Sequence, residues 1–469
     1  MTRKNLASSI MHSMLGKYAM YAIQFISIIL VARLYSPDEL GYFSVIQIVI
    51  AFSVLICDAG LGPALVSADK VSTNEVDSVF TFTVLIGFIL AILIYTISPV
   101  INLFFNSQNY TGDIKWIAVA IFFQSISIVP NASLIKDRRF FKIANANCCS
   151  EIISLCILLI LYQYHASITL MSIKFLVFSF FKYIFLRYLS RNSSFSNFKL
   201  TAEIFLVKRF IGFAIYQLGF NVINFFTRNL DNILIGKYFG FNQLGYYDRA
   251  YQLMRYPLQL VTFALVPAIQ PNIVLIKNNQ ERVDIHNWLA KRLAYCGCII
   301  STVIYFSSKE IIGFLFGDDW MGSVVFLEIF SLMIPVQVLM SSSGAFFQAY
   351  NKVNILFVSG AISAATNIIA MIIGVTIGSP EWVAKLLLIS FCINFIQTYY
   401  CLFKYVFIRS YIGFLRAISP ALSIFVVMVS YGNSILGVSV WNDIGTIIYR
   451  FSVILSLYSL LFFVDHKMK

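Results

Sequence analysis

ILVARLYSPDELGYFS, residues 29–44, recurs later in the chain as ILIGKYFGFNQLGYYD, residues 233–248. Five aligned positions are identical and seven are conservative, and the same register brings Pro63 onto Pro267. Each copy contains the end of one apolar segment, a tight loop and the start of the next apolar segment. The similarity predicts a chain built from two related halves.

The composition predicts an all-α, polytopic membrane protein. Apolar residues make up 59% of the chain, charged residues 12%, and the mean hydropathy is +0.82, whereas soluble domains carry about 25% charged residues. About 20 apolar residues cross the hydrocarbon core as a helix, and lipid offers no partners for an open sheet edge. Fourteen spans are predicted, at 14–34, 40–60, 79–102, 114–134, 143–164, 168–189, 210–236, 244–267, 290–315, 324–344, 354–376, 382–403, 414–434 and 444–464.

An even number of predicted spans separates the two copies, so both copies have the same orientation in the membrane. Such parallel repeats are related by an axis along the membrane normal, with a transport pathway expected between them. The chain then divides into two six-helix lobes, a basic linker and two further helices. The predicted boundaries are 1–190 for the N-terminal lobe, 191–209 for the cytoplasmic linker, 210–405 for the C-terminal lobe and 406–469 for the remainder.

Charge distribution predicts which side each loop occupies. Lys and Arg concentrate in the loops that share a side with both termini, such as 136–142 and 187–209, while the opposite loops carry mainly acids. The positive-inside rule therefore predicts that both termini are cytoplasmic. This distribution accounts for the net charge of +13 without a nucleic-acid partner.

The remaining composition gives no sign of a catalytic centre, a metal site or a cofactor. The eight cysteines lie in or beside apolar segments, with no C-x-x-C pair, and are interpreted as packing residues. A membrane-embedded glycan polymerase or ligase would need large outer loops with Arg or His clusters, and the predicted outer loops are short. The sequence favours transport over catalysis.

Polar residues inside the spans are the candidate functional residues, because an ionisable group at bilayer depth needs a cavity or a partner. In span 7, five polar residues recur every three or four positions and therefore share one helix face. They are Gln217, Asn221, Asn224, Arg228 and Asp231.

Span 8 repeats this pattern with Asp248, Gln252, Arg255 and Gln259. Each set of polar residues forms a stripe along one face of its helix, and the two stripes are expected to face each other or to share one cavity. Alternatively, Asp231 and Asp248 pair with the two arginines and only hold the lobe together.

Isolated polar residues in the other spans have two interpretations. Amides there commonly bridge helices, and Lys17 or Lys182 could extend to the membrane interface. Three acids, however, are possible ion-coupling residues: Asp58, Glu151 and Glu328.

Several motifs resemble those of the polysaccharide transporter family, which includes the O-antigen and colanic-acid type flippases. The stretch 231–271 is similar to the family's second-half signature. LYSPDELGYFSV at 34–45, DAGLGPALV at 58–66 and DRRFFK at 137–142 are similar to its first-half motifs. The family belongs to the multidrug/oligosaccharidyl-lipid/polysaccharide exporter superfamily, and the last four spans resemble it only in hydropathy and number.

The resemblance implies a flippase of the bacterial inner membrane. Its cargo would be an undecaprenyl-diphosphate-linked oligosaccharide, moved from the cytoplasmic to the periplasmic leaflet for O-antigen or exopolysaccharide synthesis, alongside a polysaccharide polymerase and a chain-length regulator. We expect alternating access through a cationic cavity, since buried cations neutralise a diphosphate. The candidate diphosphate ligands are Arg228, Arg255, Arg249 and Lys17, and the candidate sugar ligands are Asn221, Asn224, Gln252 and Tyr251.

Two alternatives stay open within the same superfamily. A cation or drug antiporter is expected to have acids dominating its cavity, whereas the stripes here contain as many arginines as acids. A lipid II flippase would differ in its cargo and in the effect of its loss on cell-wall synthesis.

Overall fold

The computed structural model describes residues 3–104, 114–195, 197–276, 278–432, 436 and 443–467. All secondary structure in these ranges is helical, which confirms the predicted all-α class. The last two residues of the predicted span 414–434 lie outside the described residues.

Eight helices precede residue 190, and a short 3-10 helix, Ile204–Val207, leads into the ninth. Their bounds are α1 (Arg3–Leu34), α2 (Pro37–Asp58), α3 (Leu61–Ser67), α4 (Thr73–Phe104), α5 (Ile114–Ile126), α6 (Ile128–Lys136), α7 (Phe140–Tyr162), α8 (Thr169–Leu189) and α9 (Lys208–Leu275).

Among the described residues after α9 there are eight further helices, together with a 3-10 turn (Asp318–Trp320) and a π-helix (Leu402–Phe407). They are α10 (Asn279–Phe306), α11 (Ser308–Leu315), α12 (Ser323–Ser331), α13 (Ile334–Ala349), α14 (Val353–Ile377), α15 (Pro380–Cys401), α16 (Ile412–Tyr431) and α17 (Asp443–Lys467).

Eleven helices in the described ranges are long and apolar enough to cross a membrane, and two bent pairs raise the number to as many as 13. The predicted fourteen is therefore not confirmed. The difference arises at α9, which contains both predicted spans 210–236 and 244–267. Non-helical backbone at Gly240 (φ 84°, ψ 174°) lies between them, and only glycine adopts such dihedrals at low cost.

The chain forms two compact units. Unit 1 comprises residues 1–35 and 39–240, and unit 2 comprises residues 36–38 and 241–469. The division at Gly240 lies downstream of the linker predicted at 191–209, because the first part of α9 belongs to unit 1. The six-helix lobes inferred from the repeat stay a prediction.

Segment 191–209, the predicted linker, packs against the start of α4. The Lys199 amide donates to Asp77 Oδ1 (2.8 Å), and the Thr201 amide donates to Thr81 Oγ1 (3.0 Å). Arg209 Nη1 lies 2.6 Å from Glu75 Oε1. Side chains on one face of α4 therefore satisfy backbone groups of this basic stretch.

Local sequence signals explain where the helices of unit 2 begin and end. Gly378 ends α14 in the left-handed region (φ 92°), which favours glycine. Ser379 then caps α15, its Oγ accepting the Glu381 amide (3.3 Å), and Pro380 takes the first helical position. α14 and α15 pack as an antiparallel pair joined by this short turn.

Candidate functional site

The main candidate site is a cavity of about 790 Å³ inside unit 1. Side chains of α2, α3, α5, α6, α8 and α9 line it, most of them apolar. A volume of this size is typical of a small-molecule or headgroup site. Its polar lining residues are Asp58, Ser67, Gln124, Ser127, Asn131, Lys182 and Asn221.

Lys182 contributes a cation to this cavity from the middle of α8. Its Nζ donates to Gln124 Oε1 (2.9 Å), and Gln124 Nε2 donates to Ser179 Oγ (3.1 Å). No ion pair in the described residues involves Lys182. The lysine therefore does not extend to an interface, and a neutral amide holds its ammonium group while its charge stays available to a ligand.

Asp58 reaches the same cavity because α2 ends there. Its Oδ1 accepts the amide of Gly62 (3.2 Å), at the start of α3. A Cβ on Gly62 would lie 2.6 Å from that oxygen, so glycine is needed for this approach. Gly60 is left-handed (φ 77°), and a Cβ there would lie 2.9 Å from the Ala214 carbonyl oxygen. The DAGLG motif thus breaks the helix and presents a carboxylate to the cavity.

The predicted stripe on span 7 is divided by the fold. Asn221 lines the cavity and accepts Gln217 Nε2 through its Oδ1 (3.1 Å). Asp231 is buried, whereas Arg228 is exposed. The alternative pair of Arg228 with Asp231 is absent from the ion pairs of the described residues, and Asp231 Oδ1 accepts the adjacent amide of Asn232 (2.9 Å).

Two other predicted ligands in unit 1 lie outside the lining of the cavity. Lys17 is exposed on α1, and Asn224 is half-buried on α9. The structure therefore brings only Asn221, of the predicted diphosphate and sugar ligands, to this cavity.

In unit 2, the predicted residues after Gly240 form a hydrogen-bonded chain. Arg249, 3% exposed, donates from Nη1 to Gln252 Oε1 (2.8 Å), and Gln252 Nε2 donates to Asp248 Oδ2 (2.7 Å). Gln252 therefore bridges a buried arginine and a buried carboxylate. Arg249 contributes to packing within the unit rather than to an open surface.

Arg255 lies apart from this chain. Its side chain is exposed, and its guanidinium carbon lies 5.8 Å from the centre of the Tyr251 ring. Tyr251 also packs edge-on against Phe330, with ring centroids 5.3 Å apart. The alternative pairing of Arg255 with Asp248 is absent from the ion pairs of the described residues.

The possible ion-coupling acids have different surroundings. Glu151 Oε1 lies 2.6 Å from Lys174 Nζ, between α7 and α8, and both side chains are nearly buried. Glu328 is half-buried on α12 and has no side-chain hydrogen bond in the part of the chain that the structure describes. Asp58 is the one of the three that lines the unit 1 cavity.

Lys182, Gln124 and Asn131 are isolated polar residues inside apolar segments, and the sequence alone assigns them no common site. Nothing in their spacing groups them, because Gln124 and Lys182 belong to separate helices that meet only through packing of α5 against α8. Their presence inside apolar segments was the sole available signal.

Solved structures place the fold among membrane transporters. The chain superposes on the lipid II flippase MurJ in its inward closed conformation with a TM-score of 0.79, at 19% identity, covering 96% of this chain and 98% of that one. A multidrug resistance transporter of the MATE family, in its inward-facing conformation, superposes with a TM-score of 0.58 at 14% identity, covering 86% and 95%. At these identities the likeness establishes the fold.

The sequence then gives the family. Residues 30–325 match the family described as "Polysaccharide biosynthesis protein", and the chain belongs to that family. This match confirms the resemblance inferred from the motifs at 34–45, 58–66 and 231–271.

Individual relatives carry related names. The teichuronic acid biosynthesis protein TuaB of Bacillus subtilis is 23% identical over 65% of this chain and 63% of its own length. The succinoglycan biosynthesis transport protein ExoT of Rhizobium meliloti is 23% identical over 60% and 56%. The lipopolysaccharide biosynthesis protein WzxC of Escherichia coli is 19% identical over 87% and 83%. The chain thus spans less than two thirds of the first two relatives.

Proposed function

We propose that this protein is a flippase that moves an undecaprenyl-diphosphate-linked oligosaccharide from the cytoplasmic to the periplasmic leaflet during surface polysaccharide synthesis. Family membership supports a role in polysaccharide biosynthesis. ExoT is named as a succinoglycan biosynthesis transport protein, and TuaB and WzxC are named for teichuronic acid and lipopolysaccharide biosynthesis. The transporter fold supports movement of a substrate rather than its chemical conversion.

One observation in particular supports an anionic, sugar-bearing cargo: the cation of Lys182, held by an amide, lies in a cavity lined by amides, hydroxyls, apolar groups and one carboxylate, Asp58. An ammonium without a carboxylate partner favours a phosphate oxygen. Asn131, Asn221 and Gln124 supply the donors and acceptors that sugar hydroxyls need. About 790 Å³ accommodates a diphosphate with part of a glycan, and the lipid tail stays in the bilayer.

Arg228 and Arg255 complete this proposal as exposed cations that form no ion pair within the part of the chain that the structure describes. They would contact the headgroup as it enters or leaves during alternating access. An inside-negative membrane potential favours outward movement of an anion, by about 2.3 kcal/mol per charge per 100 mV. The two six-helix lobes and the pathway inferred from the repeat belong to the same proposal.

The proposed location is the bacterial inner membrane with both termini in the cytoplasm. Single cysteines test it, one placed in 240–243 and one in 137–142. We expect an impermeant thiol reagent to label the first in intact spheroplasts and the second only after lysis. The reverse pattern would invert the topology.

Lys182 provides the functional test. Lys182→Gln keeps a hydrogen-bonding side chain but removes the charge, and Lys182→Arg keeps the charge. A charge-assisted hydrogen bond is worth about 1.5–3 kcal/mol, so Lys182→Gln should reduce transport of a fluorescent polyprenyl-diphosphate glycan in proteoliposomes about 10- to 100-fold. Lys182→Arg should retain most transport. Equal activity of both variants at equal protein levels would refute the proposed cargo contact.

Cation or drug exchange is a second candidate, favoured by the Asp58 carboxylate in the same cavity. On this alternative, Asp58→Asn abolishes cation-dependent transport of a drug, while Lys182→Gln has little effect. Lipid II is a third cargo to compare in the same proteoliposomes, since the MurJ likeness concerns the fold. The cargo that each variant loses distinguishes these possibilities.

A further inference from the structure

Ser179 is buried on α8, one helical turn before Lys182. The two residues are three positions apart, so they lie on the same side of the helix. Ser179 is fully buried, and it is not among the described residues that line the unit 1 cavity. Any effect of its hydroxyl on a ligand in that cavity must therefore pass through a neighbouring side chain.

The hydroxyl of Ser179 has a fixed direction. Its Oγ donates to the carbonyl of Phe175, four residues earlier on α8 (2.8 Å). A serine hydroxyl has a single proton, so this oxygen can only accept from any other neighbour. That neighbour is Gln124 of α5, whose Nε2 donates to Ser179 Oγ (3.1 Å).

This contact determines which end of the Gln124 amide faces Lys182. A side-chain amide has donors at one end and an acceptor at the other. Because Nε2 is turned towards Ser179, Oε1 faces Lys182 and accepts from its Nζ (2.9 Å). The reversed amide would place N–H donors against an ammonium group, which has no acceptor. Ser179 therefore selects the amide orientation that holds Lys182.

Aromatic side chains beside these polar residues hold α5 against α8. Phe123 packs edge-on against Phe180, with ring centroids 5.1 Å apart, and its ring centroid lies 6.4 Å from that of Tyr183. These three aromatic residues directly adjoin the three polar residues in the sequence. The hydrogen-bonded chain thus lies in a well-packed helix contact, which fixes the distance that the Gln124 amide has to span.

The ammonium group held in this way keeps its positive charge. Gln124 is neutral, and the Phe178 ring, whose centre lies 5.8 Å from Lys182 Nζ, attracts a cation without neutralising it. Asp58 lines the same cavity, but no ion pair of the described residues joins it to Lys182. Its Oδ1 accepts the Gly62 amide instead (3.2 Å).

We infer that Ser179 is a positioning residue for cargo binding. By fixing the Gln124 amide, it holds the Lys182 ammonium at the cavity, where the remaining N–H groups contact the diphosphate of the lipid-linked glycan; this role rests on the proposed function. Without the Ser179 hydroxyl, the amide can reverse and repel the ammonium. Lys182 then keeps its charge but loses its place, so the anionic headgroup binds more weakly.

Transport kinetics of the full-length protein in proteoliposomes, with the fluorescent polyprenyl-diphosphate glycan as substrate, test this role. Ser179→Ala should raise the apparent KM about three- to tenfold, and kcat should change by less than about twofold, as expected for a loss of binding alone. Ser150→Ala is the matched control. Ser150 is equally buried on α7, and its Oγ also donates to a carbonyl four residues earlier (2.7 Å), but it lies outside the described cavity lining. Both constants should stay at wild-type values in this control.

Two further variants separate positioning from a purely structural role. In the Lys182→Gln background, Ser179→Ala should have no additional effect on the apparent KM, because its effect passes through Lys182. A purely structural serine would cause the same loss in both backgrounds. Ser179→Thr keeps a hydroxyl that can donate to the same carbonyl, so it should retain the wild-type apparent KM.

Three outcomes at equal protein levels would overturn the role of Ser179 while leaving the Lys182 contact intact. They are wild-type kinetics of Ser179→Ala, an equal loss from Ser179→Ala with and without Lys182, and a loss in Ser179→Thr as large as that in Ser179→Ala. Wild-type transport by Lys182→Gln would instead refute the cargo contact itself, and with it the reason for positioning the lysine.

Discussion

Substituting Glu151 or its partner Lys174 tests whether the Glu151 carboxylate has a structural role or an ion-coupling role. Its Oε1 lies 2.6 Å from Lys174 Nζ, and the two side chains are 14% and 13% exposed. Removing one partner of a nearly buried pair typically costs 3–5 kcal/mol, because the other charge is left without compensation. We therefore expect Lys174→Met to lower the free energy of unfolding by about 3–5 kcal/mol and Glu151→Gln to lower it by less, since its amide can still accept from Lys174.

A double-mutant cycle measures the interaction itself. The double variant should recover part of the loss, with a coupling energy of about 1–3 kcal/mol. The exposed pair Glu381–Lys385, with N and O atoms 3.9 Å apart and side chains nearly half exposed, is the matched control, and its coupling should stay below about 0.5 kcal/mol.

Reversible unfolding in mixed micelles gives the stabilities, and proteoliposome transport gives the activity of each variant. A coupling energy near that of the control pair would refute the structural interpretation. So would a Glu151→Gln variant that unfolds like the wild type but no longer transports, because that result would make Glu151 a coupling residue.

Three further predictions concern stability, each measured by the same unfolding assay. Ser72→Ala removes the side chain that accepts the Glu75 amide at the start of α4 (3.3 Å), and it should lower the free energy of unfolding by about 1 kcal/mol. Proteolysis of segment 191–209 should become faster. Unchanged proteolysis would show that this helix cap does not hold the segment. Gly60→Ala places a Cβ 2.9 Å from the Ala214 carbonyl oxygen at a residue with positive φ, so it should lower the free energy of unfolding by about 1–3 kcal/mol. An unchanged free energy of unfolding would mean that the backbone between α2 and α3 adjusts to the added methyl group. Asn394→Leu removes three hydrogen bonds between α14 and α15 and should cost about 2 kcal/mol at about 0.6 kcal/mol for each bond; a stabilised variant would contradict this.

Hydropathy and the repeat predicted most of the fold, because both can be read from the sequence without knowing which helices pack together. Apolar segments of span length mark the helices wherever they pack. The count of fourteen is not confirmed because of α9, where a single glycine decides whether two predicted spans are separate helices or one kinked helix. Backbone dihedrals at Gly240 depend on what each half of α9 packs against, and the sequence does not state that.

The candidate site was only partly predictable. Helical periodicity shows which residues share one face of a helix, but not which other helix packs against that face. Asp58 and Asn221 were selected from their own segments and do line the cavity. The pairing of Arg228 with Asp231 assumed that a spacing of three suffices. Residues three apart differ by about 60° around a helix, and here that angle separates an exposed side chain from a buried one.

Each half of the chain contains a helix interruption just before a proline. α5 ends at Ile126 and α6 begins at Ile128, just before Pro130; in the second half, α12 and α13 meet at a 50° bend just before Pro335. A proline lacks the amide that would bond four residues back, so the two breaks have the same cause at nearly corresponding positions of the repeat.

The break after α2 has no such counterpart. Asp58, which ends α2, aligns with Thr262 in the register of the repeat, and α9 continues as a helix through that position to Leu275. Irregular backbone at membrane depth is tolerated where it lines a cavity or is buried in protein, and the break after Asp58 does line one. The two halves have therefore diverged at this point, since Thr262 has neither the carboxylate nor the helix break found at Asp58. A swap variant, Asp58→Thr, should leave stability within about 1 kcal/mol while altering transport; unaltered transport would show that this asymmetry is only structural.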